Sequence, residues 1–197
     1  MIVGISGKYC AGKELASLFF RKRGFYHIEV DKIGHSVLKE QRLLIASLFG
    51  KQVLSTDLQE INRNILGSIV FADQSKLTQL ENILHPIMQK KIIYILDQQK
   101  NKNIIINAAL LFSLKLDLYC QYILWVTAHP LIRMYRGKKR DKKSIRQIVN
   151  LMRRQKTLNP QPSSSNVDIY VVSTSLGKFL FEKKLKKIMR KYNKKYE

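Results

Sequence analysis

The first twenty residues contain the pattern that most restricts the fold. A short apolar run opens the chain, a glycine-containing loop follows, and helix-forming apolar residues come next, from Leu15 to Phe20. The loop has the spacing Gly7-x-x-x-x-Gly12-Lys13, in which glycines let backbone N–H groups surround phosphate oxygens while the lysine reaches the β- and γ-phosphates. The order strand, phosphate loop, helix therefore predicts a nucleotide site at the end of the first strand.

One position of this loop departs from the pattern. A Ser or Thr that binds Mg²⁺ should follow the lysine, and this chain has Glu14 there. The alternative is a glycine-containing turn that binds nothing, but a lysine directed into such a turn, as Lys13 would be, is hard to explain without an anion. The candidate nucleotide-binding residues are Gly7, Lys8, Tyr9, Cys10, Ala11, Gly12, Lys13, Glu14 and Leu15.

Length and composition indicate one globular domain. The chain has 197 residues, of which 45% are hydrophobic and 25% are charged. The uncharged stretch at residues 103–114 is shorter than the roughly 18 residues of a spanning helix. We therefore expect no membrane-spanning segment. Cys10 and Cys120 are far apart and form no metal-ligand spacing, so we expect both to be free thiols. Together these features favour a cytoplasmic protein.

The net charge of +22 is concentrated in the last third of the chain. Residues 133–197 contain 20 Lys or Arg against 4 Asp or Glu, a net charge of +16. Such an excess attracts polyanions, either nucleic acid or phosphorylated metabolites, without choosing between them. The alternative is a lysine-rich surface with no particular partner.

Short apolar runs of the length of a strand alternate along the chain with segments in which apolar residues have the spacing of a helix. Beyond the first strand, we predict strands at Phe25–Val30, Ile104–Ile106, Tyr122–Val126 and Ile169–Val172, and helices at residues 13–23, 32–49, 57–70, 77–84, 87–98, 144–154 and from about 176 onward. A break or kink is expected at Pro86. Strands separated by helices imply a parallel α/β sheet, and Asp31 then follows a strand end, where ligands bind.

The motifs, taken in order, resemble those of the dephospho-CoA kinase family over nearly the whole chain. The matching segments are the phosphate loop, Asp31–His35, Asn62-Arg63 through Val70-Phe71, Leu84–Pro86, Leu110–Phe112, a basic lid from Arg133 to Gln155 with Arg136, Arg140, Asp141 and Gln155 at matching positions, and Val167–Val172. The family phosphorylates the ribose 3′-hydroxyl of dephospho-CoA with ATP, so the resemblance implies this activity, with ATP and Mg²⁺ as cofactors.

The resemblance also implies the fold and the domain plan. The fold would be α/β, a three-layer P-loop NTPase-type parallel sheet flanked by helices, with a helical substrate-binding region and a basic lid. A single P-loop kinase domain would span residues 1–197. Its core would comprise about 1–31, 101–130 and 165–197, the substrate region about 32–100, and the lid about 131–160. Dephospho-CoA is the expected partner of a monomer or weak homo-oligomer, with nucleic acid not expected as a ligand.

Three residues are the predicted catalytic groups: Lys13, Asp31 and Arg140. We expect Lys13 to hold the ATP phosphates, Arg140 and Arg136 to bind the nucleotide, and Asp31 to accept the proton of the ribose hydroxyl. The bland alternatives are an N-cap role for Asp31 and a solvated helix face for the two arginines. Predicted substrate-binding residues are Asp31, His35, His85 and Leu110, with structural roles as the alternatives for both histidines.

Several positions depart from the family pattern, most of them at acidic or metal-binding sites. They are Glu14, Asn62, Asn107, Ala109, Ser113 and Leu151. Glu14 adds a carboxylate where the family has a hydroxyl, and Asn107 lacks one at a strand end. We hypothesise that Glu14 is the metal ligand and replaces the carboxylate missing at Asn107. A kinase for another nucleoside or nucleotide, and a weakened homologue with a nucleic-acid-binding surface, are the alternative functions.

Overall fold

The computed structural model describes residues 1–141, 144–155, 158–163 and 167–196. The chain divides into two compact units, Met1–Ile28 with Gln99–Glu197 and Glu29–Gln98. Within the described part of the chain, none of the helices has the length and hydrophobicity to span a bilayer. Residues 142, 143, 156 and 157 of the predicted lid, and 165, 166 and 197 of the predicted core, lie outside the described residues.

The first unit is built on one five-stranded sheet. Its strands are β1 (Ile2–Gly7), β2 (Tyr26–Glu29), β3 (Ile104–Asn107), β4 (Tyr122–Thr127) and β5 (Asp168–Ser173). Their spatial order is β2-β3-β1-β4-β5, and β1 pairs in parallel with β3 and β4, as β4 does with β5. The predicted parallel α/β sheet flanked by helices is confirmed.

Strand β1 lies at the centre of this sheet because it is apolar on both faces. Five of its six residues are buried. Val3 and Ile5 belong to a core that also contains Phe19 and Phe20 of α1 (Lys13–Arg21) and Phe181 of α8 (Lys178–Tyr196). The phosphate loop is thus held at both ends by buried elements, β1 before it and α1 after it.

The second unit contains four helices around a core of its own. They are α2 (Val30–Glu40), α3 (Arg42–Phe49), α4 (Arg63–Val70) and α5 (Gln74–Gln98). The single helix predicted over residues 32–49 is interrupted at Gln41, which ends α2. Of the break or kink predicted at Pro86, the break is wrong, because α5 continues through this residue. Buried Leu80 and Ile92 anchor α5 on either side of Pro86, and this packing offsets the missing hydrogen bond.

Asn62 is the N-cap of α4. Its side-chain oxygen accepts hydrogen bonds from the backbone N–H groups of Asn64 and Ile65. Asn and Asp serve this position equally well, so the departure from an acidic family residue preserves the cap. We expect Asn62→Ala to lower the free energy of unfolding by about 1 kcal/mol and Asn62→Asp to leave it nearly unchanged. Urea titration would measure this, and equal losses in both variants would contradict the capping role.

Two helices cover the stretch expected to form the lid. α6 (Pro130–Asp141) begins with a proline, which suits the first helical position because its missing N–H has no partner there anyway. α7 (Ile145–Arg154) has Ser144 as N-cap, and Ser144 and Gln147 form a reciprocal capping box. The sequence predicted α7, but it indicated only a basic run where the structure has α6.

Candidate active site

Two glycines shape the loop that joins β1 to α1. Gly7 has φ 148°, and a Cβ added there would collide with the backbone carbonyl oxygen of Val126 in β4. Gly12 has φ 104°, and a Cβ there would lie 2.8 Å from the Thr174 Cγ2 atom. Larger residues are therefore excluded by space as well as by backbone conformation. The loop is held tightly against β4 and the segment after β5.

The same loop is arranged to receive an anion. Gly12 is the N-cap of α1 and offers no side-chain acceptor to the first N–H groups of that helix. A helix N-terminus of this kind is a favourable place for phosphate oxygens. The Lys13 Nζ atom lies 2.9 Å from the Gly7 carbonyl oxygen, so the side chain folds back over the loop. The residues present thus fit the phosphates of a nucleotide.

Glu14 is the acidic residue in the first turn of α1, but its carboxylate faces along the helix. It lies 3.9 Å from the Arg21 guanidinium, and its side chain is 70% exposed. Among the described residues, no group of three or more His, Cys, Asp or Glu could hold a metal ion. The arrangement fits an anion but offers no assembled carboxylate site for Mg²⁺, and the metal role of Glu14 stays a prediction.

Tyr9 connects the phosphate loop to α6 and to the residue that follows α7. Its backbone N–H donates to the Gln155 side chain, and its carbonyl oxygen accepts from the Arg133 Nε atom at 2.7 Å. Its hydroxyl donates to the Asp141 carboxylate, and burial together with this bond raises the pKa of Tyr9. A Cβ at Gly137 would lie 2.9 Å from the Tyr9 ring, so a larger residue there would force the ring to shift.

The two predicted lid arginines lie on α6 with different partners. Arg136 donates to the Thr174 hydroxyl at 2.7 Å, and that hydroxyl donates to the Ala11 carbonyl oxygen of the phosphate loop. Arg140 forms a bidentate pair with Asp141, at 2.7 and 3.0 Å, and its guanidinium lies 5.3 Å from the centroid of the Tyr9 ring. The structure therefore brings both arginines to elements that contact the phosphate loop.

Arg133 is a cation near the loop that sequence reasoning did not single out. It is only 7% exposed, and its Nη2 atom has no hydrogen-bond partner among the described residues. Burial lowers its pKa. Only its place in a basic run distinguished it in the sequence, and that run contains six other cations between residues 136 and 143.

Asp31 lies in the second unit, at the second position of α2. The N-cap of this helix is Glu29, so the alternative N-cap role for Asp31 is not what the structure shows. The strand ends at Glu29, two residues earlier than Asp31, because α2 begins at Val30. The Asp31 side chain is exposed. Its carboxylate is thus accessible to a ligand at the N-terminal turn of a helix.

His35 follows Asp31 by one turn on α2 and contacts Arg63. The Arg63 Nη1 atom lies 2.7 Å from His35 Nε2 and 3.3 Å from Nδ1. Arg63 is the first residue of α4, directly after the cap residue Asn62. The segment that resembles a family motif thus brings the Arg63 guanidinium to the predicted substrate residue, a role that the sequence did not indicate.

His85 is half-buried in the middle of α5. Burial lowers its pKa below its usual value, and Glu81 opposes this shift only in part. Because the unfolded chain binds a proton first as the pH falls through about 6.5, acidification favours unfolding. Lowering the pH from 7.5 to 5.5 should decrease the thermal midpoint of both the unmodified protein and His85→Gln. We expect the decrease to be about 1–2 °C smaller in His85→Gln, which lacks the imidazole. Equal decreases, measured by scanning calorimetry, would contradict this.

Asn107, a departure from the family pattern, and Leu110, a predicted substrate-binding residue, lie at the end of β3 and just after it. Asn107 is the last residue of that strand, pairs in register with Ile5 and is half-buried. Leu110 is 39% exposed, whereas its neighbour Leu111 is fully buried. An exposed leucine beside a buried one leaves an apolar surface at the carboxyl edge of the sheet. Cys10 and Cys120 are both free thiols, as predicted.

Comparison with known proteins identifies the family. The family model described as dephospho-CoA kinase matches residues 1–175, which is most of the chain. The chain belongs to the dephospho-CoA kinase family. The matched region contains the phosphate loop, α6, α7 and all of the second unit, so the match covers every predicted site residue of this dephospho-CoA kinase family member.

A curated relative agrees with this membership, and a solved structure shares the fold. A dephospho-CoA kinase of Borrelia garinii is 44% identical over 135 residues, which cover 68% of this chain and 65% of that protein. The chain therefore matches just under two thirds of that relative's length. The structure of TT1252 from Thermus thermophilus aligns with a TM-score of 0.76 at 19% identity, covering 97% of each chain.

A second solved structure is that of a dephospho-CoA kinase from Campylobacter jejuni. It aligns with a TM-score of 0.59 at 23% identity and covers 96% of each chain. At this level of identity the likeness concerns the fold alone. The chain therefore shares its overall fold with these two solved structures, and its phosphate loop lies at the carboxyl end of the central strand β1.

Proposed function

We propose that this protein transfers the γ-phosphate of ATP to the ribose 3′-hydroxyl of dephospho-CoA, which gives coenzyme A and ADP. The family match over residues 1–175 is the observation that carries this proposal. The phosphate loop supports ATP as the donor, because the N-terminus of α1 lacks a side-chain cap and Lys13 folds over the loop.

Lys13 and the backbone of the phosphate loop would bind the β- and γ-phosphates of ATP. Phosphoryl transfer depends on positioning and on neutralising charge more than on covalent chemistry, so cations dominate this part of the proposal. Arg140 would exchange its Asp141 partner for a phosphate oxygen, since its planar fork suits either anion. Arg136, which is bound to Thr174, would hold the nucleotide beside the loop.

Asp31 would act on the acceptor. Its exposed carboxylate would accept the proton of the ribose 3′-hydroxyl and orient that oxygen for attack. His35 and His85 would contact the acceptor, and Arg63 would hold the His35 ring in position through the 2.7 Å contact. The exposed side chain of Leu110 would pack against an apolar part of the acceptor.

The chain would be divided into three functional regions. Residues 131–160 would form the lid, residues 32–100 the substrate region, and the remainder the P-loop core. We propose that the protein works in the cytoplasm on this small molecule, as a monomer or weak homo-oligomer. The ATP would be supplied with Mg²⁺, its usual counter-ion in kinase reactions.

A coupled ADP-release assay tests the proposal. The unmodified protein receives ATP and Mg²⁺ with dephospho-CoA, and in separate reactions with adenosine, deoxyadenosine or AMP. We expect turnover with dephospho-CoA only. Turnover with another acceptor would instead support a different nucleoside or nucleotide kinase. No turnover at all, together with salt-sensitive binding to unrelated nucleic acids, would support the weakened homologue.

A further inference from the structure

A cleft of about 390 Å³ lies between the phosphate loop and the lid helices of the first unit. Three cations line it: Lys8 from the loop, Arg133 from α6 and Arg153 from α7. The rest of the lining is mainly apolar and includes Leu131, Met134 and Met152. Positive charge beside apolar walls suits an organic molecule that carries an anionic group.

Arg133 gives this cleft its strongest indication of a ligand. Only 7% of this residue is exposed. Its Nη2 atom has no hydrogen-bond partner among the described residues. A buried charged donor without an acceptor is unfavourable, so the site favours an incoming anion. Asp141, the acid of α6, accepts hydrogen bonds from Arg140 and Tyr9, and it makes none with this Arg133 nitrogen.

Arg133 contacts the phosphate loop through a carbonyl oxygen and not through the groups expected to bind phosphate there. Its Nε atom donates to the Tyr9 carbonyl oxygen at 2.7 Å, whereas we expect an anion in the loop to bind backbone N–H groups and Lys13. A guanidinium can bind two oxygens at once through different nitrogens. Arg133 can thus hold the loop through one nitrogen and a ligand through another.

We propose that this cleft is a second anion site, which binds a phosphate group of a phosphorylated organic ligand through Arg133, Lys8 and Arg153. The phosphate group could belong to a nucleotide or to coenzyme A and its precursor, because the recognition chemistry is the same. The site does not depend on the kinase activity proposed above, since binding alone reports on it.

Titration calorimetry with inorganic phosphate tests the site in the Lys13→Met background, which weakens binding in the phosphate loop. We expect phosphate still to bind. Arg133→Met should weaken it about tenfold or more and Arg153→Met about threefold, because each removes a charged donor. Arg133→Lys should recover part of the loss. Arg146→Met is the matched control, an exposed arginine of α7 outside the cleft lining, and should leave the affinity unchanged.

Two outcomes would overturn the proposal: loss of all phosphate binding in Lys13→Met alone, or unchanged affinity in both Arg133→Met and Arg153→Met. If Arg133→Met does not fold, because the Tyr9 contact is lost, Arg153→Met and Lys8→Met provide the same test. Competition then identifies the source. Displacement of phosphate by ADP assigns a nucleotide, displacement by coenzyme A assigns the acceptor side, and displacement by neither rejects an organic ligand.

Discussion

Replacing Asp31 with asparagine is expected to lower kcat for dephospho-CoA phosphorylation by about 10²- to 10⁴-fold, the usual contribution of a positioned general base. Asparagine keeps the shape of the side chain but cannot accept the hydroxyl proton. The carboxylate is exposed on the first turn of α2, so the substitution disturbs no buried contact. The loss should therefore appear in kcat, measured by steady-state ADP release, with little change in the thermal midpoint.

Glu40→Gln is the matched control for this prediction. Glu40 lies at the other end of α2 and pairs with Lys91, so its replacement also removes one carboxylate from the same helix. We expect its kcat to stay within about twofold of the unmodified value, since surface ion pairs contribute little. If Asp31→Asn lowers stability and leaves kcat intact, the carboxylate serves the helix dipole and not the reaction.

The sheet and the phosphate loop could be predicted because local sequence determines them. The short apolar run in Ile104–Asn107 is typical of a strand that is buried on both faces, and it is too short for a helix. Gly7 and Gly12 mark conformations that other residues do not tolerate, which makes their spacing informative. Both features depend on residues within a few positions of each other.

The predictions of helix boundaries were wrong where tertiary packing outweighs the local conformational preference of the sequence. Pro86 predicts a break, but α5 buries Leu80 before it and Met88, Ile92 and Leu96 after it. Leu80 packs in the core of the second unit with residues from positions 45 to 70, which are not the proline's neighbours in sequence. The interruption between α2 and α3 falls at Gln41. This residue is neither a glycine nor a proline, so its type did not indicate the end of a helix.

The part of the candidate site that the sequence missed consists of long-range contacts. Tyr9 meets Arg133, Asp141 and Gln155, which lie 124, 132 and 146 positions away. A family resemblance placed Asp141 and Gln155 in a lid but gave them no partner. Arg133 stood among many cations, and only its burial distinguishes it. Contacts of this kind depend on the folded topology, which periodicity and spacing do not specify.

Replacing Lys13 with methionine is expected to lower kcat/KM for ATP by about 10²- to 10³-fold, the loss typical of removing one preorganised charge from a transition state. Methionine keeps most of the length and the apolar stem. Lys22→Met, at the exposed C-terminal end of α1, removes the same charge without touching the loop and should change kcat/KM by less than about twofold.

The Lys13 variant also distinguishes binding from chemistry. In this structure the ammonium group hydrogen-bonds the Gly7 carbonyl, a neutral acceptor that a phosphate oxygen should readily replace because charge-assisted bonds are stronger. If Lys13 follows the transferring phosphoryl group, kcat should fall more than the affinity for ADP, which lacks the γ-phosphate. Equal losses in kcat/KM and ADP affinity would mean that Lys13 binds the nucleotide uniformly, and the lid arginines would then be the groups that stabilise the transition state.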